Sequence, residues 1–198
     1  MATVVVPFRS TDPKRRLAAL SEPDRIRLAH AMLDDVVAAA RPLGEVIVVA
    51  ADATGLPAGV RHVPDSPHGQ GAAVRAGLGA AVARGLPGPY VVVNADLPCV
   101  TTRDLLALVG ALPEHGLALA PATDGTTNAV AFADAALFEP VYGPGSAQRF
   151  AALAPSMRLE APNLIDDVDM PGDLARLEGR LGEHTRRVLA SLRLESAA

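Results

Sequence analysis

The chain has 198 residues, a length typical of one compact domain, and 49% of them are hydrophobic, enough for one substantial core. Its 18 basic and 22 acidic residues give a formal net charge of −4, which argues against a nucleic-acid binder that works through bulk positive charge. Lys14 is the only lysine, and every other basic residue is arginine. The single cysteine, Cys99, excludes an internal disulfide and a multi-cysteine metal site and indicates a reducing compartment.

The sequence also indicates a cytoplasmic protein. The N-terminus, MATVVVPF, has no basic segment followed by a long apolar run, so it does not resemble a secretory signal. No stretch approaches the roughly 18–20 apolar residues that a membrane helix needs. Aromatic residues make up 3% of the chain and tryptophan is absent, which leaves little for stacking on single-stranded nucleic acid. We therefore expect neither a membrane nor a nucleic-acid partner.

Short apolar runs alternate with longer segments of helical periodicity. Residues 2–7, 46–50 and 90–93 are almost entirely apolar, as expected of strands buried on both faces of a parallel sheet. Further strands are predicted at 117–120 and 128–132. Residues 63–68, VPDSPH, have the composition of a turn.

Helix signals fill the intervals between these strands. Ser21 can cap a helix, with Pro23 in its first turn and Asp24 three residues after the cap. Thr101 and Asp104 have the spacing of a second capping box. The other predicted helices cover about 71–84, 146–153 and the residues from 171 onward, followed by a tail helix over 182–198.

This alternation predicts an α/β protein: a single domain over 1–198, built as a three-layer α/β/α sandwich around a mostly parallel, doubly wound sheet. The tail helix over 182–198 would either cap the sheet or contact a partner. Ligands of such sheets bind beyond the carboxyl ends of the strands. The loops that begin at Phe8 and Asn94 are therefore the first places to look for chemistry.

The loop after the first strand is rich in cations. Arg9, Lys14, Arg15 and Arg16 fall within eight residues and would repel one another without an anion or acidic neighbours. A polyphosphate is one candidate, and a solvated arginine-rich surface loop is the alternative. The loop lacks the spacing of a phosphate-binding glycine loop, so side chains would hold the phosphates.

Two acidic segments are candidate metal ligands. Asp96 lies three residues past the 90–93 run, where a carboxylate can hold a divalent cation or simply stabilise a turn. Asp167 and Asp169 are two residues apart and would face the same side of an extended chain. Mg²⁺ would relieve the repulsion among these acids. Asp169 is also expected to cap the helix that begins at Pro171.

Two glycine-containing loops complete the set of candidates. Gly69 and Gly71 only imitate a dinucleotide-binding fingerprint, but they can offer backbone contacts to a nucleotide ahead of a helix. Ser146 follows a second glycine-rich loop and is expected to cap the helix after it. The five histidines have no metal-ligand spacing, and nothing indicates a nucleophilic triad.

Taken in order, these segments resemble one family. The pattern of PxR…KxRL after a strand, then ADLP, GTTNAV, YGPGS and DVDMPGDL, is similar to the 2-phospho-L-lactate/phosphoenolpyruvate guanylyltransferases of coenzyme F-420 biosynthesis. The match runs from about residue 4 to 177. The ADLP loop is shared with molybdenum-cofactor and sugar nucleotidyltransferases. The chain departs from the family pattern at two places. Arg9 stands where the family often has lysine, and residues 68–72, HGQGA, replace the Gly-Leu-Asn loop that is usual in the family.

The resemblance implies a nucleotidyltransferase fold and a reaction between GTP and a phosphorylated three-carbon acid that releases pyrophosphate. It implies Mg²⁺ as cofactor. The implied sites are Lys14, Arg16 and Asp96 as catalytic residues; Arg9, Lys14, Arg16, Gly69 and Gly71 for the nucleotide; Thr127, Gly143 and Ser146 for the acid; and Asp96, Asp167 and Asp169 for the metal.

Phosphoenolpyruvate is the preferred acid, because the alanine- and arginine-rich composition suggests a bacterial source; 2-phospho-L-lactate and 3-phosphoglycerate stay open. Candidate protein partners are a second copy of the chain and the downstream transferase that takes the unstable product. The alternatives are a nucleotidyltransferase for molybdopterin or a sugar phosphate, and a catalytically silent nucleotide-binding relative.

Overall fold

A seven-stranded sheet forms the centre of the computed structural model, which describes residues 1–10, 13–14, 16–17, 19–65 and 68–196. The strand order is β3-β2-β1-β4-β6-β5-β7. β6 runs antiparallel to both its neighbours and all other pairs are parallel, so the sheet is mostly parallel as predicted. The strands are β1 (Ala2–Pro7), β2 (Gly44–Ala50), β3 (Arg61–Pro64), β4 (Tyr90–Val93), β5 (Leu117–Pro121), β6 (Thr127–Phe132) and β7 (Ser156–Arg158).

Helices cover both faces of this sheet. They are α1 (Glu22–Ala40), α2 (Gln70–Ala83), α3 (Thr102–Gly110), α4 (Ser146–Ala151), α5 (Pro162–Ile165), α6 (Pro171–Leu177) and α7 (Glu183–Ser196). Val4 and Val6 of β1 pack in one cluster with α1 and α3, whereas Val5 packs in the other with α2 and α4. Successive strand residues therefore face opposite layers, which explains the unbroken apolar runs. Within the described ranges, no helix has the length and apolarity required to cross a bilayer.

The caps of α1 and α3 and the long apolar strands agree with the sequence predictions. Ser21 Oγ accepts from the Asp24 N–H, and Thr101 and Asp104 form the predicted capping box. The prediction of a turn at the start of 63–68 was wrong, because Val63 and Pro64 belong to β3. β3, β7 and α5 were not predicted.

The tail helix α7 packs against α1, which itself covers one face of the sheet. Asp35, a buried residue of α1, accepts hydrogen bonds from the backbone N–H groups of His184 and Thr185, both at 2.9 Å. These N–H groups have no partner within their own helix, so the carboxylate satisfies them and faces the positive end of the helix dipole. A Cβ at Gly182 would lie 2.2 Å from Asp35 Cγ, which explains the glycine there.

We expect Asp35→Asn to lower the free energy of unfolding by about 2 kcal/mol, because an amide nitrogen would face one of the two N–H donors in a buried site. Urea denaturation followed by circular dichroism measures the change. Asp34→Asn is the matched control, since Asp34 is only partly buried and its carboxylate lies 3.9 Å from the His184 Nδ1 atom, too far for a hydrogen bond. Its effect should stay below about 0.5 kcal/mol. Equal effects of the two substitutions would contradict the capping role.

Candidate active site

Segments from both halves of the chain meet at the carboxyl edge of the sheet beside β4. β6 runs antiparallel to β4, so its first residue, Thr127, lies at the same edge as the last residue of β4. The Asn94 N–H donates to the Asn128 carbonyl at 2.9 Å and holds the two segments together. Farther along the chain, the Val168 N–H donates to the Asp96 carbonyl at 3.1 Å.

This last bond brings together the three acids predicted as metal ligands. Asp96, Asp167 and Asp169 each offer a carboxylate oxygen, and the three oxygens lie within 4.8 Å of one another. All three residues are half-buried. Asp167 and Asp169 face the same side because the segment between α5 and α6 is extended, as the spacing predicted.

Lys14 lies among these carboxylates. Its Nζ donates to Asp96 Oδ2 at 2.6 Å, to Asp169 Oδ1 at 3.3 Å and to the Val168 carbonyl. The side chain is 11% exposed. The backbone of Lys14 has φ of 53°, a left-handed conformation that no other non-glycine residue in the described part of the chain adopts. This backbone conformation costs about 1 kcal/mol, and the contacts of the Lys14 side chain hold the residue in it.

The protonation of the site reflects its crowding. Burial alone would lower the pKa of Lys14, but the charges and hydrogen bonds of Asp96 and Asp169 outweigh it, so the pKa is raised and the ammonium stays charged. Burial, reinforced by the charge of Asp96, raises the pKa of Asp167 to about 6. Burial and the neighbouring negative charge therefore disfavour the ionised form of Asp167, and a cation bound beside it would favour that form.

Asp169 does not cap the helix after it, contrary to the prediction. Asp173 Oδ2 accepts from the N–H groups of Asp169 and Met170, at 3.0 and 2.7 Å, and Met170 holds the cap position. The Asp169 carboxylate instead accepts from Lys14 and, at 2.8 Å, from Arg16 Nη1. Its charge is therefore directed into the site.

Asp166 anchors the acidic segment from behind. Its carboxylate accepts from Arg176 and Arg180, each at 2.6 Å. Burial opposes this, but the two guanidinium groups hold the pKa of Asp166 below its usual value. Two ion pairs thus fix the backbone from which the Asp167 and Asp169 side chains extend.

The residues assigned to the acid substrate also come together. Ser146 does not cap α4 as predicted, because Gly145 occupies the cap position. Ser146 Oγ donates instead to Thr127 Oγ1 at 3.1 Å, and both residues are buried. The Ser146 N–H donates to the carbonyl of Gly143, whose φ of 103° favours glycine. The three residues form one corner beside β6.

A cavity of about 740 Å³ extends from the acids along the carboxyl edge. Arg9, Lys14, Arg16 and Gly69 line it, whereas Gly71 lines a neighbouring cavity together with Gly143. Gly69 caps α2 with φ of 87°, which leaves the first N–H groups of the helix without a side-chain cap. Gly71 has a packing reason to be glycine, since a Cβ there would lie 2.6 Å from Pro140 Cβ. Arg15 lies outside the described residues.

A polar chain behind the acids was not predicted. Gln70 Nε2 donates to Asn94 Oδ1 at 2.7 Å, Asn94 Nδ2 donates to Asn128 Oδ1 at 3.3 Å, and Asn128 Nδ2 donates to the Ile165 carbonyl at 3.0 Å. This chain links α2, β4, β6 and α5. The only signal in the sequence was the position of the two asparagines: Asn94 begins the loop that carries Asp96, and Asn128 follows Thr127.

The acids fit a divalent cation. Asp96 Oδ1 is buried and has no hydrogen-bond partner among the residues that the structure describes, which leaves one ligand atom unused. Three carboxylate oxygens are the hard ligands that small divalent cations prefer. Lys14 and Arg16 compensate only part of the acidic charge.

Sequence comparison identifies the family. A profile described as "Guanylyl transferase CofC like" matches residues 2–195. The chain is 38% identical to a phosphoenolpyruvate guanylyltransferase of Sphaerobacter thermophilus, with 90% of this chain and 94% of that protein covered. It is 35% identical to a 2-phospho-L-lactate guanylyltransferase of Halorubrum lacusprofundi, with 88% and 82% covered.

Solved structures agree on the fold. A putative nucleotide-diphospho-sugar transferase from Desulfovibrio desulfuricans superposes with a TM-score of 0.75 at 18% identity, covering 96% of this chain and 95% of that one. A 2-C-methyl-D-erythritol 4-phosphate cytidylyltransferase from Thermus thermophilus gives 0.61 at 19% identity, covering 90% and 98%. The fold is that of nucleotidyltransferases. Together with the sequence match over nearly the whole chain, this shows that the chain belongs to the CofC-like guanylyltransferase family.

Proposed function

We propose that the chain transfers GMP from GTP to phosphoenolpyruvate, releases pyrophosphate and forms enolpyruvoyl-2-diphospho-5'-guanosine for coenzyme F-420 biosynthesis. The same chemistry applies to 2-phospho-L-lactate, and relatives of both names match the chain. The observation that carries the proposal is the cluster of Asp96, Asp167 and Asp169 around Lys14, from which a cavity of about 740 Å³ extends. Family membership favours this function over a molybdopterin or sugar-phosphate substrate and over a silent relative.

In this reaction a phosphate oxygen of the acid attacks the α-phosphorus of GTP in line with the departing pyrophosphate. The nucleophile is already ionised near neutral pH, so no general base is required. The single cysteine is consistent with this: Cys99 is buried, and burial raises the pKa of its thiol, so the thiol is poised neither as a base nor as a nucleophile. Catalysis then depends on positioning and on charge stabilisation.

The basic and acidic side chains of the site divide these tasks. Lys14 and Arg16 lie beside the acidic residues and would face the GTP phosphates, Lys14 through its positive charge because its three donors already bond to Asp96, Asp169 and the Val168 carbonyl. Arg9 is exposed and lines the same cavity. Asp96, Asp167 and Asp169 would hold Mg²⁺, which when bound neutralises charge on the reacting phosphates. Asp166, clamped by Arg176 and Arg180, keeps the acidic segment in place.

We assign the corner formed by Thr127, Gly143 and Ser146 to the phosphate and carboxylate of the acid. Ser146→Ala should raise KM for the acid about 3- to 10-fold, the loss of one neutral hydrogen bond, and leave KM for GTP unchanged. Steady-state kinetics with each substrate varied in turn measures this. Ser156→Ala is the control, since Ser156 lies on edge strand β7. An equal rise in KM for GTP would contradict the assignment.

Phosphorus NMR of the reaction mixture tests the proposed product. GTP, Mg²⁺ and phosphoenolpyruvate should give two coupled diphosphate signals together with pyrophosphate. GTP hydrolysis without a new diphosphate would refute guanylyl transfer to the acid.

A second copy of the chain and the downstream transferase remain our candidate protein partners, and light scattering of the protein alone and mixed with that transferase tests both.

A further inference from the structure

Three buried polar atoms at one cavity lack a hydrogen-bond partner among the described residues: Ser10 Oγ, Asp65 Oδ1 and Asp96 Oδ1. Buried polar atoms are nearly always satisfied, because an unpaired one costs about 1–3 kcal/mol. A cation at the acidic cluster accounts for Asp96. It does not account for Asp65, which follows β3 and lies on the other side of β1 and β2.

The position of Asp65 matches the far end of a nucleotide. Asp65 and Asp96 both follow the carboxyl ends of their strands, and β3 and β4 are separated by three interstrand spacings, roughly 14 Å. The cavity of about 740 Å³ is lined by residues at both ends. A nucleotide whose phosphates lie at Lys14 and Asp96 would therefore place its base near β3.

The backbone holds Asp65 firmly at this place. Its N–H donates to the Ala50 carbonyl at 2.8 Å, which extends the parallel pairing of β2 and β3 by one residue. Its carboxylate forms neither a hydrogen bond nor an ion pair with any residue in the described ranges. A carboxylate that is anchored by its backbone, and whose buried Oδ1 has no partner in the described part of the chain, can accept hydrogen bonds from a ligand.

The chemistry of that ligand follows from the carboxylate. An ionised carboxylate only accepts hydrogen bonds, so its ligand must present donors. Guanine carries two adjacent donors, N1–H and the 2-amino group, which fit two carboxylate oxygens. Adenine and cytosine carry a ring nitrogen acceptor beside their amino group, which a carboxylate would repel.

We propose that Asp65 selects the guanine base of GTP by accepting hydrogen bonds from N1–H and the 2-amino group. This rests on the proposed function, since it assumes that the phosphates bind at the acidic cluster. Ser10, in the loop after β1, lines the same cavity, and its Oγ also lacks a partner within the described ranges.

Equilibrium binding separates this proposal from the proposed function. Calorimetry with Mg²⁺ and no acid substrate should show that the wild-type protein binds GTP at least about 10-fold more tightly than ITP, which lacks the 2-amino group, and more tightly than XTP. Asp65→Asn should bind GTP about 10- to 100-fold more weakly and prefer XTP, because the amide can donate to the 2-oxo group and still accept from N1–H. Glu114→Gln, at a highly exposed site, should keep the wild-type preference.

The binding results distinguish a failure of the Asp65 assignment from a failure of the proposed function. Wild-type GTP affinity in Asp65→Asn, or an equal loss of GTP and XTP in the folded variant, would overturn the assignment. If the variant does not fold, equal binding of GTP and ITP by the wild-type protein would overturn it instead. No GTP binding by the wild-type protein would overturn the proposed function as well, whereas GTP binding independent of Asp65 would overturn this inference alone.

Discussion

Asp96→Asn should lower Mg²⁺-dependent turnover by about 10³-fold and leave the fold intact. Asp96 is the one acid of the cluster that also has a buried, unpaired oxygen, and an amide cannot replace an anionic metal ligand. Lys14 keeps two of its partners in the variant, Asp169 and the Val168 carbonyl, so the ammonium is not left unpaired. Pyrophosphate release measures turnover, and titration with Mn²⁺ followed by electron paramagnetic resonance measures cation binding directly.

The control for this substitution is Asp134→Asn. Asp134 caps a short helix after β6, and asparagine caps equally well, so activity should be unchanged. Asp169→Asn should behave like Asp96→Asn because it removes another member of the cluster. Full activity in a folded Asp96→Asn protein would remove the metal assignment.

The second large effect is expected from Lys14→Arg, which conserves charge. The Lys14 ammonium has three donors, and the structure places three acceptors around it: Asp96, Asp169 and the Val168 carbonyl. A guanidinium is larger and planar, so its donors cannot converge on the same three acceptors. We expect kcat/KM for GTP to fall about 10²-fold.

Arg103→Lys serves as the charge-conserving control, because Arg103 is an exposed residue of α3. Its kinetics should match the wild-type protein. If Lys14→Arg left GTP kinetics unchanged, the single lysine of the chain would be incidental to catalysis.

The sequence predicted the central strands and the caps of α1 and α3 because those signals are local. β1 and β4 are continuous apolar runs, and their predicted bounds agree with the structure. β3 and β7 escaped prediction because four- and three-residue edge strands carry little apolar signal, and their pairing depends on the neighbouring strand.

Two capping predictions were wrong for one reason. Asp169 and Ser146 both precede or begin helices, and local rules favour them as caps. Tertiary contacts decide otherwise: Asp169 faces Lys14 and Arg16, and Ser146 bonds to Thr127. At both positions the residue type that favours capping serves the site instead.

The acidic cluster could be predicted because its members stand in recognisable segments at strand ends. Asp65 could not be predicted as a site residue, since it follows a strand that the hydrophobic pattern does not indicate. Its proposed role also depends on a cavity that it shares with the residues after β1 and β4. The Gln70–Asn94–Asn128 chain was hidden for the same reason, because it joins three separate elements.

The most direct test of guanylyl transfer is pyrophosphate release from GTP and Mg²⁺ with phosphoenolpyruvate, 2-phospho-L-lactate and 3-phosphoglycerate in parallel, beside a reaction without any of the three. We expect pyrophosphate release that requires one of these substrates, is greatest with phosphoenolpyruvate and is lost in Asp96→Asn. Release with none of the three acids, or equal release without any acid, would contradict it.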